Sequence, residues 1–414
     1  MVELDAIVIA DSPLARVKIA GLTARERAIR VARKVGATRV QVIEHGAPQL
    51  EPAARVLVIR ADQLVHTGLV EPLLAAPDAI AIDPDGTYAG AFVASGAAAH
   101  DAIVRLARGE RDDAIAASLP ARRVEHGAVA RAAIATPAER AAAHRLLYRV
   151  LVKPQDNAIT RYLYRPVSFP LTRLLVRTPI TPNQISYVVA ALVALGCWIA
   201  AHASDRAALI GTVVVLAASY LDCCDGEVAR LKLLSSRFGA WIDTVVDELS
   251  SVGYMIALGW HCHLAFGEQL LGFDPWLVGI AIGVATYADT IYCIYYNLIV
   301  AVGSANSQDY VGRFEVVPAG RPNAVRLQPV TATEPARELP PAVRWVATYA
   351  PYIVRRDFIS WGTLALCALH LTHVAFAGLV LGGVVTSVIV TIDHVRLRSL
   401  RRSIARRGLV LEAP

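Results

Sequence analysis

The sequence predicts an α/β domain followed by an all-α membrane domain of six transmembrane helices. Three observations carry that expectation. The 414 residues are 55% hydrophobic with a mean hydropathy of +0.45, more than soluble chains usually hold. The excess lies after residue 184, where long apolar runs are broken by short polar joints; before it, polar and apolar residues alternate. Inside the apolar half, residues 222–247 read DCCDGEVARLKLLSSRFGAWIDTVVD and carry Asp222, Asp225, Asp243 and Asp247. An intramembrane carboxylate costs about 2.5 kcal/mol or more, so four of them mark a functional site. The expected division is a soluble domain at 1–135, a linker and juxtamembrane helix at 136–183, the membrane domain at 184–400 and a basic tail at 401–414.

In the first part, AIVIA at 6–10 reads as a short buried strand and Thr23 to Val35 as a helix opened by a Thr23/Glu26 capping box. Val40 to Ile43 and Arg55 to Arg60 read as strands, 63–75 as a helix and Ala79 to Ile82 as another strand. That alternation predicts helices packed on a mainly parallel sheet. The start, MVELDAIVIADSP, lacks the charged and apolar regions of a signal peptide, so this domain is expected in the cytoplasm. From Asp156 to Thr178, arginines interleave with Tyr162, Leu163, Phe169, Leu171, Leu174 and Leu175. The pattern suits a helix in the membrane interface or an ordinary linker helix.

A spanning helix needs about 20 mostly apolar residues. Six segments approach that length: 184–203, 207–231, 238–263, 275–302, 357–372 and 374–394. The last two, joined near His370, read either as a tight hairpin or as one over-long helix. Thr181-Pro182-Asn183 caps the first span, since Pro suits a helix start. Basic residues gather before the first span, after the second, in the 303–356 loop with its seven arginines, and in the tail with Arg396, Arg398, Arg401, Arg402, Arg406 and Arg407. With six spans all these joints share one side, expected to be cytoplasmic in the cell inner membrane. The net charge of +6 therefore belongs to membrane topology, and no nucleic-acid partner is expected. Six cysteines in or beside the apolar runs lack metal-ligand spacing and read as reduced packing residues. His261-Cys262-His263 falls at the outer helix end, and residues two apart on a helix face different ways, so no metal cluster is expected there.

On a helix Asp222, Asp225, Gly226 and Ala229 share a stripe, and Gly239, Asp243 and Asp247 share another on the next helix. Packed antiparallel, the two bring the carboxylates together near the cytoplasmic surface. Bare carboxylates at such distances repel by about 4 kcal/mol per close pair, so a cation is required. All-oxygen ligands select Mg²⁺ or Mn²⁺. The small residues at 226, 229 and 239 leave room for a second component near the backbone, and Arg230 offers a charge to a phosphate.

Written out, the pattern is D-x2-D-G-x2-A-R-x8-G-x3-D-x3-D, which resembles the signature of the CDP-alcohol phosphotransferases at every fixed position, over about residues 150–400. The resemblance implies a six-helix, homodimeric membrane enzyme binding one or two divalent metals through the four aspartates. By it, Asp222, Asp225, Gly226, Ala229, Arg230, Gly239 and Asp243 would hold a CDP-alcohol and its metals, Asp247 would be the general base, and Asn183 would join the nucleotide pocket. A hydroxyl acceptor would attack the phosphorus and release CMP.

DGEVARLK and SSRFGAWIDTVVDELS, with Lys153-Pro154, Asp156 and Arg355-Arg356-Asp357, resemble the branch of di-myo-inositol phosphate phosphate synthases. That branch implies CDP-inositol as donor and an inositol phosphate as acceptor, with Arg355 and Arg356 facing the acceptor phosphate or simply flanking a span. Asp289 and Asn297 would line the acceptor cavity or bond to neighbouring helices. The segment VKIAGLTARERAIRVARKVGATRVQVIE resembles a nucleotidyltransferase domain, in which Lys18 would bind phosphate and Asp62 a metal. The phosphate loop departs from that pattern, because Asp11-Ser12-Pro13-Leu14-Ala15-Arg16 holds no glycine and Pro13 has no amide. A degenerate domain is expected. A CDP-diacylglycerol donor is the alternative within the family. A cation-coupled six-helix transporter is the alternative outside it, and does not need the small-residue spacing.

Overall fold

The computed structural model describes residues 3–46, 48, 54–152, 158–267, 270, 272–304, 307–321, 323–330 and 356–412. It divides into two compact units, the first formed by 1–157, 169–182 and 226–235, the second by the remainder.

The first unit runs β1 (Leu4–Ile9), β2 (Lys18–Ile19), β3 (Leu22–Thr23), α1 (Ala24–Lys34), β4 (Ala37–Ile43), β5 (Arg55–Arg60), β6 (Leu64–Val65), α2 (Thr67–Val70), β7 (Ala79–Ile82), β8 (Tyr88–Ser95), α3 (Gly96–Ala107), α4 (Asp112–Ser118), β9 (Arg122–Glu125), β10 (Arg131–Ala132) and α5 (Pro137–Arg149). Its main sheet has the order β4-β1-β5-β8-β7-β9. The period-two alternation of a strand splits the sheet's side chains between two apolar layers. Ala6, Val8, Leu57 and Ile59 pack with Val31 of α1 and Leu69 of α2, while Ile7, Val56, Val58 and Phe92 pack with Ile103 of α3 and Ile115 of α4. The sheet lies between two helical layers. It is mainly parallel, with one reversed strand: β1 pairs in parallel with β4 and β5 and β7 with β9, while β8 is antiparallel to both β5 and β7. The Thr23/Glu26 capping box forms as the spacing predicts, and a second box at Thr136/Glu139 opens α5. α5 buries Ala143 and Leu147 completely, as part of this unit.

α6 (Arg165–Leu175) follows a π turn at Thr160–Tyr164 and exposes Val167 and Leu174, two turns apart on one face. The second unit then holds α7 (Pro182–Ala200), α8 (Asp205–Leu231), α9 (Arg237–Phe266), α10 (Pro275–Asn297), β11 (Phe314–Pro318), β12 (Ala324–Pro329), α11 (Arg356–Ala368), α12 (Thr372–Arg406) and β13 (Val410–Leu411). α8 ends in the first unit. Among the described residues four helices are long and apolar enough to cross a membrane: Pro182–Ala200, Asp205–Leu231, Pro275–Val302 and Thr372–Arg406. α9 has 30 residues, but Asp243, Asp247 and Glu248 break its apolar run; α11 has 13. The chain turns between α11 and α12 at His370, which adopts a left-handed φ of 58°, so the two are separate helices and not one long one.

Close packing in the second unit depends on small residues. A side chain on Gly211 of α8 would run into the Gly196 carbonyl and the Ala200 backbone of α7, the small-residue contact that lets membrane helices approach. Gly259 and Gly279 likewise make room for Phe376 of α12. None of the six cysteines forms a disulfide.

Candidate active site

α8 and α9 supply the carboxylates. Ser236 caps α9 by accepting a 2.9 Å hydrogen bond from the Gly239 amide, fixing the first turn from which Asp243 follows. One carboxylate oxygen each from Asp222, Asp225 and Asp243 lie within 4.8 Å of one another. Asp225 is only 5% exposed and accepts a 2.6 Å hydrogen bond from the Ser186 hydroxyl of α7. Three carboxylates this close, one of them buried, repel strongly unless a cation lies between them. The donor set is hard oxygen throughout, which fits a divalent metal such as Mg²⁺. Asp247 lies one turn further along α9 and is not part of that trio.

Asn183, at the start of α7, comes to the same place: its Oδ1 would lie 3.0 Å from a Cβ built on Gly239. A larger residue at 239 would therefore displace Asn183. On α8, Gly226 lies one turn before Arg230, whose Nη1 stands 3.4 Å from where a Gly226 Cβ would be. Ala229 follows on the same helix.

The spacing arguments did not find Ser186 or Glu248. Ser186 lies three residues after Asn183, a one-face spacing that was readable once Asn183 was placed. Glu248 accepts a 2.5 Å hydrogen bond from the Tyr287 hydroxyl of α10, a partner no local pattern indicates. Asp289 accepts from Ser387 at 2.6 Å and Thr391 at 2.7 Å, and Asn297 donates to the Val311 carbonyl at 2.9 Å. Both residues thus bond to neighbouring segments of the chain. His261 packs against the His202 carbonyl and Asp205, whereas His263 pairs with Asp274, so the two histidines diverge. Lys153, Pro154, Asp156 and Arg355 lie outside the described residues. Arg356 opens α11 through its backbone.

Residues 179–321, which include the whole signature, match the family profile described as CDP-alcohol phosphatidyltransferase. The chain carries a CDP-alcohol phosphatidyltransferase domain. It is similar to proteins named bifunctional IPC transferase and DIPP synthase: 31% identical over 149 residues to that of Aquifex aeolicus, covering 36% of this chain and 32% of the relative. The Thermococcus kodakarensis protein of the same name is 33% identical over 126 residues, 30% and 28% of the two chains. An Arabidopsis thaliana protein named CDP-diacylglycerol--glycerol-3-phosphate 3-phosphatidyltransferase 2 is 38% identical over 69 residues, 17% and 28%. Each match spans about a third or less of the relative's own length.

In the first unit the segment after β1, where the resemblance puts a nucleotide loop, forms hydrogen bonds of its own. After β1 the chain forms a short 3₁₀ turn, Pro13–Arg16, in which the Leu14 amide donates to Ser12 Oγ, Ala15 to the Ser12 carbonyl and Val17 to Leu14. Asp62 is held by the Arg60 guanidinium at 2.5 Å, and Arg60 also reaches Asp112 at 3.1 Å. Burial raises the Asp112 carboxyl above its ordinary range.

Proposed function

We propose that the protein moves a phospho-alcohol from a CDP-alcohol to an acceptor hydroxyl and releases CMP, with CDP-inositol as donor and inositol 1-phosphate as acceptor. The observation that carries this is the oxygen trio of Asp222, Asp225 and Asp243 built on two helices with the full small-residue spacing between them. The names of the Aquifex and Thermococcus relatives support the inositol branch.

A divalent cation bound by the trio supplies neutralising charge to the donor's pyrophosphate and to the departing CMP. Asn183, Gly226, Ala229, Arg230 and Gly239 give the nucleotide a surface where the backbone is accessible and one guanidinium faces a phosphate. Asp247 takes the proton of the acceptor hydroxyl; its oxygen forms the new bond to phosphorus as the bond to CMP breaks, giving a phosphodiester. Arg355 and Arg356 are proposed to receive the acceptor's phosphate. Six spans with the soluble unit and tail in the cytoplasm, and assembly as a homodimer in the inner membrane, complete this reading.

A second donor, CDP-diacylglycerol, gains support from the soluble unit. The Leu14, Ala15 and Val17 amides after β1 are already hydrogen-bonded and Asp62 is ion-paired, which speaks against an activity making CDP-inositol in the same chain. Incubating the purified protein and Mg²⁺ with either donor plus inositol 1-phosphate, and measuring CMP, separates them. The reading fails if neither donor yields CMP, or if Asp247→Asn retains full activity. CTP with inositol 1-phosphate should give no pyrophosphate.

A further inference from the structure

A cavity of about 720 Å³ lies wholly within the first unit, a volume that suits a small ligand. Lys18 at the β2–β3 hairpin, Arg145 on α5, and Arg173 and Arg177 at the end of α6 line it, and no carboxylate does. None of the four meets a carboxylate at ion-pair distance among the described residues. Four unpaired cations around one hollow repel one another, and an anion relieves that repulsion.

The walls are fixed rather than loose. The Arg173 guanidinium lies over the Tyr148 ring at 5.3 Å, and Tyr148 meets Phe169 edge-on at 5.9 Å. Gly21, with a φ of +80°, lies so close to the Val176 carbonyl that any side chain there would collide with it. Beyond α6, Lys232 Nζ donates to the Thr178 and Ile180 carbonyls at 2.7 and 2.9 Å, tying that stretch down. Burial and the Arg173 and Arg177 charges lower the His144 imidazole in the same wall, so at neutral pH it offers a hydrogen bond without adding charge. Asp62 and Asp112 are not part of the wall.

We propose that this cavity binds a phosphate group, presented either by a soluble phosphate compound or by an anionic phospholipid headgroup, with Arg145, Arg173 and Arg177 as its cationic partners. Guanidinium groups suit the oxygens of phosphate in number and geometry. The exposed Leu174 beside Arg173 gives a lipid's glycerol end an apolar neighbour.

The test titrates the full chain in neutral detergent by calorimetry with inorganic phosphate, with dihexanoyl phosphatidylglycerol and with dihexanoyl phosphatidylcholine. Binding of phosphatidylglycerol in preference to phosphatidylcholine assigns the lipid source; binding of phosphate without that preference assigns the soluble one. Arg145→Gln with Arg173→Gln should weaken the bound probe by about tenfold or more, the loss of charge-assisted bonds. Ala141→Trp fills the same cavity with every charge kept, and should weaken it comparably. Should the arginine variant fail to fold, Ala141→Trp decides alone. Wild-type affinity in either folded variant, or no binding of any probe to the wild type, overturns the proposal.

Discussion

Ser186 donates to the most buried carboxylate of the trio, so its effect is expected on metal binding rather than on the chemical step. Ser186→Ala removes one hydrogen bond to a charged acceptor, and the half-saturating Mg²⁺ concentration should rise by about tenfold while kcat at saturating metal holds. Asp247 is not one of the three carboxylates grouped within 4.8 Å, which suits the separate role of base proposed for it. Asp247→Asn should lower CMP release by about 10²-fold or more, the usual weight of a general base, yet leave a Mg²⁺-dependent rise in thermal midpoint. Asp243→Asn should abolish both. The four aspartates and Gly239 were legible because helical periodicity fixes which residues share a face. The contacts of Ser186 with Asp225 and of Tyr287 with Glu248 were not, because the partners lie 39 residues apart in sequence and only the packing of α7 on α8, and of α10 on α9, brings them together.

Capping and close approach govern the elements. The Thr23 amide donates to Glu26, and this bond first, with the Thr23 hydroxyl behind it, holds the Glu26 carboxyl below its ordinary value of 4.5. A carboxyl with a lowered folded pKa contributes stability above its unfolded pKa and loses it as pH falls through the folded one. The gap in unfolding midpoint between wild type and Glu26→Gln should therefore be present at pH 7 and close on acidification below about 4.5; Thr23→Ala should cost about 1 kcal/mol. In the second unit, Gly211→Val forces α7 and α8 apart at Gly196 and Ala200, and the folded fraction recovered in detergent should fall sharply, whereas Gly378→Val, with open space around it, should be tolerated. The capping box was visible in four residues of sequence. The antiparallel β8 was not: strand direction is set by what the strand pairs with, and YAGAFVAS carries no mark of it. The split between α11 and α12 rests on one left-handed residue, His370, a type that only occasionally takes that conformation.

At the scale of the whole molecule, the two units are expected to answer differently to metal. A ligand that binds only the folded form stabilises it by RT ln(1 + [L]/Kd), about 2.7 kcal/mol at a hundredfold excess over Kd. The trio belongs to the second unit alone, so Mg²⁺ should raise the unfolding temperature of that unit and leave the first unit's transition in place. The apolar packing of the first unit draws on two layers either side of its sheet and involves none of the three carboxylates. Differential scanning calorimetry of the detergent-solubilised chain, with EDTA and then with Mg²⁺ added back, reads both transitions. The expected result is one transition that moves with metal and one that does not, the moving one losing its response in Asp222→Asn with Asp225→Asn. A shift of both transitions together would mean that metal binds elsewhere or that the units unfold as one. A shift of neither would remove the trio as a cation site, and with it the charge that the proposed transfer needs at the pyrophosphate.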